Sequence, residues 1–273
     1  RRRHTRFRNV TGVQTCALPI SEVEVPVVGA GWRVLYLASA VWLVVPLVLH
    51  RRLRETRRFT AHAGQSRPPL LGARLAAQAT VAVLANVFIA GASVFLVNYL
   101  RDVRGYPAAR VSLFTLVTAS PAACGLVVGG RIADRRGRRA LGAGSLAVGT
   151  ACFVAAYRTS GAAMWASALA GGVALGVAYP ATGVYRGEMF ATRGRGMASG
   201  LVTTASLLGG SVGLLVAGVL IDRGVAYGDV MALLAIGPLA ASAVILAAYP
   251  ETAHRALEDL NPADAAGQSA SAP

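Results

Sequence analysis

The sequence predicts an all-α fold, a polytopic membrane helical bundle, and three observations predict it. First, apolar stretches of nearly the 20 or so residues that cross a bilayer core recur seven times, with almost no charge inside them. Second, hydrophobic residues make up 55% of the chain and charged residues only 14%, too few polar groups to coat a soluble domain. Third, the net charge of +15 comes from arginines set between the apolar runs. Nucleic-acid binding would instead gather basic residues on one amphipathic face with aromatics interleaved, so no nucleic-acid partner is expected. A positive-inside bias accounts for the charge. All 27 basic residues are arginine; with the abundant Ala, Gly and Val this points to a GC-rich, bacterial genome and a plasma (inner) membrane location.

The elements follow in order. Residues 1–20 stand apart: the first nine hold five Arg and one His, and the apolar patch at 16–20 is too short for a signal-peptide core and is interrupted by Pro19. Residues 10–20 resemble the conceptual translation of a common sequencing-library adapter, so 1–20 are expected to be an assembly artefact, with the genuine sequence starting near Ser21. Residues 21–50 are then an extracellular lead-in and a first span at about 34–49, where Pro46 is tolerable if neighbours re-satisfy the backbone. Residues 51–74 form a cytoplasmic central loop, basic at 51–58 and then rich in Gly, Ser and Pro. Residues 75–250 form a six-helix unit with spans at 75–99, 111–128, 141–157, 162–185, 197–220 and 230–249. Residues 251–273 form a cytoplasmic tail, polar at first and rich in Ala and Ser from 263.

Loop charges fix the orientation. Arg33, Arg101, Arg104, Arg110, Arg158 and Arg223 fall on one side; the other sixteen arginines outside 1–20 fall on the opposite side, which is therefore the cytoplasmic one. A weak repeat agrees with this layout: Glu55-Thr56-Arg57-Arg58 follows the first span, and Pro250-Glu251-Thr252-Ala253-His254-Arg255 follows the seventh. Duplicated halves are common in transporters.

Four segments carry a resemblance. Gly130-Arg131-Ile132-Ala133-Asp134-Arg135-Arg136-Gly137-Arg138-Arg139 resembles the loop signature of the major facilitator superfamily, in its copy between the eighth and ninth helices. Gly130, Arg131, Asp134, Gly137, Arg138 and Arg139 are the positions that carry it. The stretch from Glu188 to Arg195 resembles the Glu-x6-Arg element of sugar-porter-like members, Pro250-Glu251-Thr252 resembles the segment after their twelfth helix, and Gly31-Trp32-Arg33 resembles the opening of their sixth. The resemblance implies a major facilitator fold, incomplete here: the sixth helix plus the C-terminal six-helix half. It also implies a secondary active transporter that moves a small-molecule solute by alternating access. The paired glutamines of strict sugar porters are absent; Gln78 is single and Asn86 lies eight residues on. The resemblance therefore does not name the solute.

Within that frame, Asp134, Arg138, Glu188, Arg195 and Glu251 sit at different helix ends on one membrane face, where carboxylates and guanidiniums can pair bidentately. The resemblance gives such charges the role of a cytoplasmic latch; otherwise they are topology-setting loop charges. Gln78, Asn86 and Ser93 fall within about 80° of one helical face at 3.6 residues per turn, and intramembrane amides often face a bundle interior or a watery path. Trp165, Gly172, Gly176 and Tyr179 share a face of a later span. Gln78, Asn86, Ser93, Trp165 and Tyr179 are thus candidate substrate-cavity residues, with helix packing as the competing reading. Gly172/Gly176 and Gly209/Gly213 have the spacing of close helix contact.

None of the twelve acidic residues falls in mid-span, so a proton-coupling carboxylate, if protons are partners, must lie on the other half. A proton-coupled drug or metabolite efflux pump is the alternative, and a transporter-like receptor or sensor a second. An enzyme is not expected. His50, His62 and His254, like Cys16, Cys124 and Cys152, lack metal-ligand spacing, so no metal or cofactor is expected either.

Overall fold

The structure is a computed structural model, and it describes residues 37, 39–52, 72–192, 194–255 and 260–261. Residues 1–20, the opening of the first span, the central loop at 53–71 and the tail after Asn261 lie outside the described residues. What is described is all-α, with no strand. Helix α1, Val44–Arg52, follows a tight turn at Val41–Leu43 within the first expected span, and forms a unit of its own.

The rest of the described chain builds six helices long and apolar enough to cross a membrane: α2 (Gly72–Val103), α3 (Ala108–Arg136), α4 (Arg139–Arg158), α5 (Gly161–Glu188), α6 (Arg195–Asp222) and α7 (Tyr227–Ala248). Each begins within about three residues of its expected span, but three are interrupted. Helix α3 breaks between Ala119 and Ala122, where Pro121 can offer no amide to the ladder. Helix α5 carries Pro180 and resets at Val184. Helix α7 resets at Ala235, just ahead of Pro238.

One boundary moves by two turns. The third span was expected to end near 128, with a loop from Gly130. Helix α3 instead runs on to Arg136, and only Gly137 and Arg138 connect it to α4. Arg, Ile and Ala keep the helix favourable once it leaves the bilayer. It stops at Gly137, whose φ of +104° only glycine adopts readily. The signature residues Gly130, Arg131 and Asp134 are therefore helical.

The packing order reveals an internal symmetry. Helix α2 packs on α6 and α7, α5 packs on α3 and α4, and α4 packs on α7. Exchanging α2–α4 with α5–α7 leaves this pattern unchanged. Each repeat has an odd number of spans, so the second must run through the membrane in the opposite sense, as in inverted-repeat transporters. The seams are equivalent as well. On α3, Gly125 and Gly129 lie against the backbone of Val173, Gly176 and Val177 of α5; on α6, Gly209 and Gly213 lie against the backbone of Val83 and Val87 of α2. Gly172 and Gly176 complete the α3–α5 seam against the carbonyls of Thr118 and Ala122.

Two apolar clusters fill the bundle. At the end away from Arg138, Phe88, Tyr99, Leu100, Phe114, Tyr157, Met164 and Met231 pack together. Near Arg138, the cluster includes Val81, Leu146, Tyr185, Met189, Phe190, Ile245 and Tyr249. Leu116, Leu207, Leu208 and Leu215 are exposed on the outside of the bundle, as lipid rather than water would require.

Candidate functional site: the charge cluster around Arg138

Arg138 stands on the two-residue connection between α3 and α4 and gathers groups from three other places. Its Nη2 donates to Asp134 Oδ1 on α3 at 2.9 Å. Its Nη1 donates to Glu188 Oε1 at the end of α5 and, more weakly, to Thr252 Oγ1 at 3.4 Å. The two ion pairs differ in shelter: the Asp134 side chain is 66% exposed, whereas Arg138 and Glu188 are 14% and 17% exposed. The contact with Glu188 therefore carries most of the interaction, because solvent screens an exposed pair. Burial alone would lower the Arg138 pKa, but its bonds to Glu188 and Asp134 outweigh burial and raise it further.

Glu251 completes the cluster through the backbone. Its Oε1 accepts from Arg138 N at 2.9 Å and from Ala253 N at 3.1 Å, and its Oε2 accepts from Arg139 N at 3.2 Å. A carboxylate thus caps the first turn of α4, where amides lack intrahelical partners and the helix dipole favours an anion. Burial pushes the Glu251 carboxyl up, but the amides of Arg138, Ala253 and Arg139 more than offset it and hold the group below its ordinary value. Gly137 makes room: a Cβ there would meet Glu251 Oε2 at 2.8 Å.

Arg195, the first residue of α6, stands apart from these bonds. Its Nε and Nη2 are buried and have no hydrogen-bond partner, as do Glu188 Oε2 and Arg138 Nε. Of the five charges, the structure thus joins Asp134, Arg138, Glu188 and Glu251 and leaves Arg195 unjoined. Among the signature residues, Arg131 and Arg139 are exposed and Gly130 has open space around it.

The five cavity candidates have separate partners or none among those described. Gln78 is 3% exposed and donates to Tyr185 O at 2.9 Å and to Met189 Sδ at 3.0 Å, tying α2 to the end of α5. Asn86 donates to Ser206 O at 2.7 Å across the α2–α6 seam. Ser93 is exposed and bonds back to Ala90 O. Trp165 meets the Phe114 ring edge-on with centroids 4.8 Å apart. Tyr179 is 72% exposed on α5. No two of the five share a hydrogen bond or ring contact among those described.

Three contributors had no role in the sequence reading. Thr252 lies inside a motif already quoted, so it was within reach. Arg74 looked like one more topology-setting arginine, yet it donates to Met189 O and Leu260 O. Asn261 donates to Glu188 O at 2.7 Å from a polar tail that carries no periodic signal.

A search of curated proteins returns no match to this chain. The family model describing the Major Facilitator Superfamily matches residues 81–271, which takes in α3 to α7, most of α2 and every member of the Arg138 cluster, and the chain belongs to that superfamily of membrane transporters.

Proposed function

We propose that this bundle is one half of a secondary active transporter that moves a small solute by alternating access, and that the Arg138 cluster latches its inner gate. The observation that carries the reading is the Arg138 node itself. One guanidinium holds carboxylates from α3 and α5, while its own amide is held by a carboxylate beyond α7. Three other segments therefore converge on one residue through a few contacts, the one with Glu188 sheltered from solvent. Such a node can bias a bistable element, since breaking it costs little compared with unpacking the helices. The second half would face the side of the bundle where Tyr179 stands exposed.

Transport itself is the test. Reconstituted alone in liposomes, the chain is expected to show no saturable uptake, whereas a parent that also carries five preceding helices should show it. Saturable uptake of a solute by the chain alone would mean that these six helices suffice, and would overturn the half-transporter reading.

The arginine asymmetry supports a plasma-membrane orientation with the Arg138 cluster and the C-terminal tail in the cytoplasm. Position 135 is the place to check it: Arg135 is exposed, and a cysteine there escapes the positive φ and the Glu251 contact of Gly137. In a chain with its native cysteines replaced, Arg135→Cys should resist an impermeant thiol reagent in intact cells and react after permeabilisation. Efficient labelling of intact cells would reverse the orientation.

A further inference from the structure

Met189 N still reaches Tyr185 O at 3.0 Å, but the last carbonyls of α5 lie beyond the intrahelical ladder. Three side chains from elsewhere bond this end. Gln78 Nε2 donates to Tyr185 O at 2.9 Å, Arg74 Nη1 to Met189 O at 3.2 Å, and Asn261 Nδ2 to Glu188 O at 2.7 Å. Arg74 and Gln78 are four residues apart and so share a face of α2. A guanidinium at a helix C-terminus also meets the negative end of the dipole.

The tail is part of this arrangement. Arg74 Nη1 bonds Leu260 O at 3.0 Å as well as Met189 O, so one guanidinium holds both the tail and the end of α5. Leu260 and Asn261 are 7% and 3% exposed, which is core burial rather than a solvated tail. Glu188 is gripped twice: its carboxylate by Arg138, and its carbonyl by Asn261.

We propose that Leu260–Asn261 is a strap. Asn261 and Arg74 cap the end of α5 from outside it and so position Glu188 for Arg138, which makes the docking of the tail a control on the gate contact. The capping stands on its own geometry; its effect on the gate rests on the latch reading above.

Hydrogen exchange on the whole chain in nanodiscs separates the two. Asn261→Ala should raise exchange at the amides of 185–192 roughly fivefold, the Boltzmann factor of one net hydrogen bond. Asn261→Asp, similar in shape but an acceptor where a donor is needed, should do at least as much, and Arg74→Leu should act at the same amides. Exchange at 153–160, at the far end of the bundle, should not change. Unchanged exchange at 185–192 in both Asn261→Ala and Arg74→Leu would overturn the strap, and so would an increase that extends equally to 153–160. Glu188→Gln supplies the other arm. If it loosens 136–140 while the Asn261 and Arg74 variants leave 185–192 untouched, the strap falls and the latch pair stands. If Asn261→Ala loosens 185–192 while Glu188→Gln leaves 136–140 unchanged, the strap stands and the latch pair falls.

Discussion

Gly213→Ala is expected to prise α2 from α6. A Cβ at Gly213 would lie 2.0 Å from Val87 O and 2.8 Å from Val87 Cα. Both are backbone atoms, so no rotamer change can relieve the clash, and the helices must move apart. Overpacking of this kind costs up to about 3 kcal/mol. The alanine returns about 1 kcal/mol of helix propensity, leaving a net loss of about 2 kcal/mol. The Asn86–Ser206 hydrogen bond crosses the same seam and would lengthen with it. Gly200, on the same helix, has nothing within 4 Å of its would-be Cβ, so Gly200→Ala should be neutral or slightly stabilising. Thermal unfolding of both variants in one detergent checks the contrast. Equal midpoints would show that the seam is looser than its backbone contacts indicate.

Arg138→Leu has the next largest expected effect. It strands Glu188, whose side chain is 17% exposed and whose Oε2 already lacks a partner. Removing one member of a sheltered ion pair costs about 3 kcal/mol, because the remaining charge stays desolvated. Adding Glu188→Leu should then recover part of the loss, since an apolar pair can fill the same space without a stranded charge. In a transporting parent, the single variant should shift the resting distribution toward inward-open and depress uptake. A double-mutant cycle on stability provides the measurement: the pair should couple by more than about 1 kcal/mol. Strictly additive losses would mean that Arg138 and Glu188 do not act on each other.

The spans were legible because lipid acts on the chain through a quantity that a sequence carries locally, the run of apolar side chains. The start of α4 at Arg139 and of α6 at Arg195 lie two residues from expectation for that reason. The continuation of α3 through Asp134 was not legible, because charge marks departure from the bilayer and not the end of a helix. Only the conformation of Gly137 marks that end. The charges of the cluster were legible as a set through their motifs, but their bonding was not. Arg195 and Arg138 look alike in sequence, yet one holds two carboxylates and the other has two buried nitrogens unpaired. Gln78 shows the same limit. A lone amide in a span points either to a watery path or to a partner, and its partner here, Tyr185 O, lies 107 residues away. Such pairings depend on where two distant helices end relative to each other, which no window along the chain records.

The two ends of the bundle are fastened by different forces. Away from Arg138, Tyr99 lies 4.9 Å from the Tyr157 ring and 5.8 Å from the Tyr227 ring, and Tyr157 donates to Ala92 O at 2.5 Å. These contacts join α2, α4 and α7 mainly through aromatic and neutral polar groups, with one guanidinium, that of Arg104, donating to Tyr99 Oη at 2.6 Å; the Arg158–Asp229 pair nearby is exposed on both sides and adds little. At the Arg138 end, ion pairs and charge-assisted hydrogen bonds are added to the apolar packing. Ionic strength weakens the exposed Arg138–Asp134 pair, reaches the sheltered Arg138–Glu188 pair much less, and leaves the aromatic contacts almost untouched. A directional compliance is therefore expected: loss of the Arg138–Glu188 contact should soften that end, while the aromatic end serves as a fulcrum. With helices of up to 28 residues in one unbroken run, about 40 Å at 1.5 Å per residue, a tilt of about 4° about that fulcrum moves the charged end by about 3 Å.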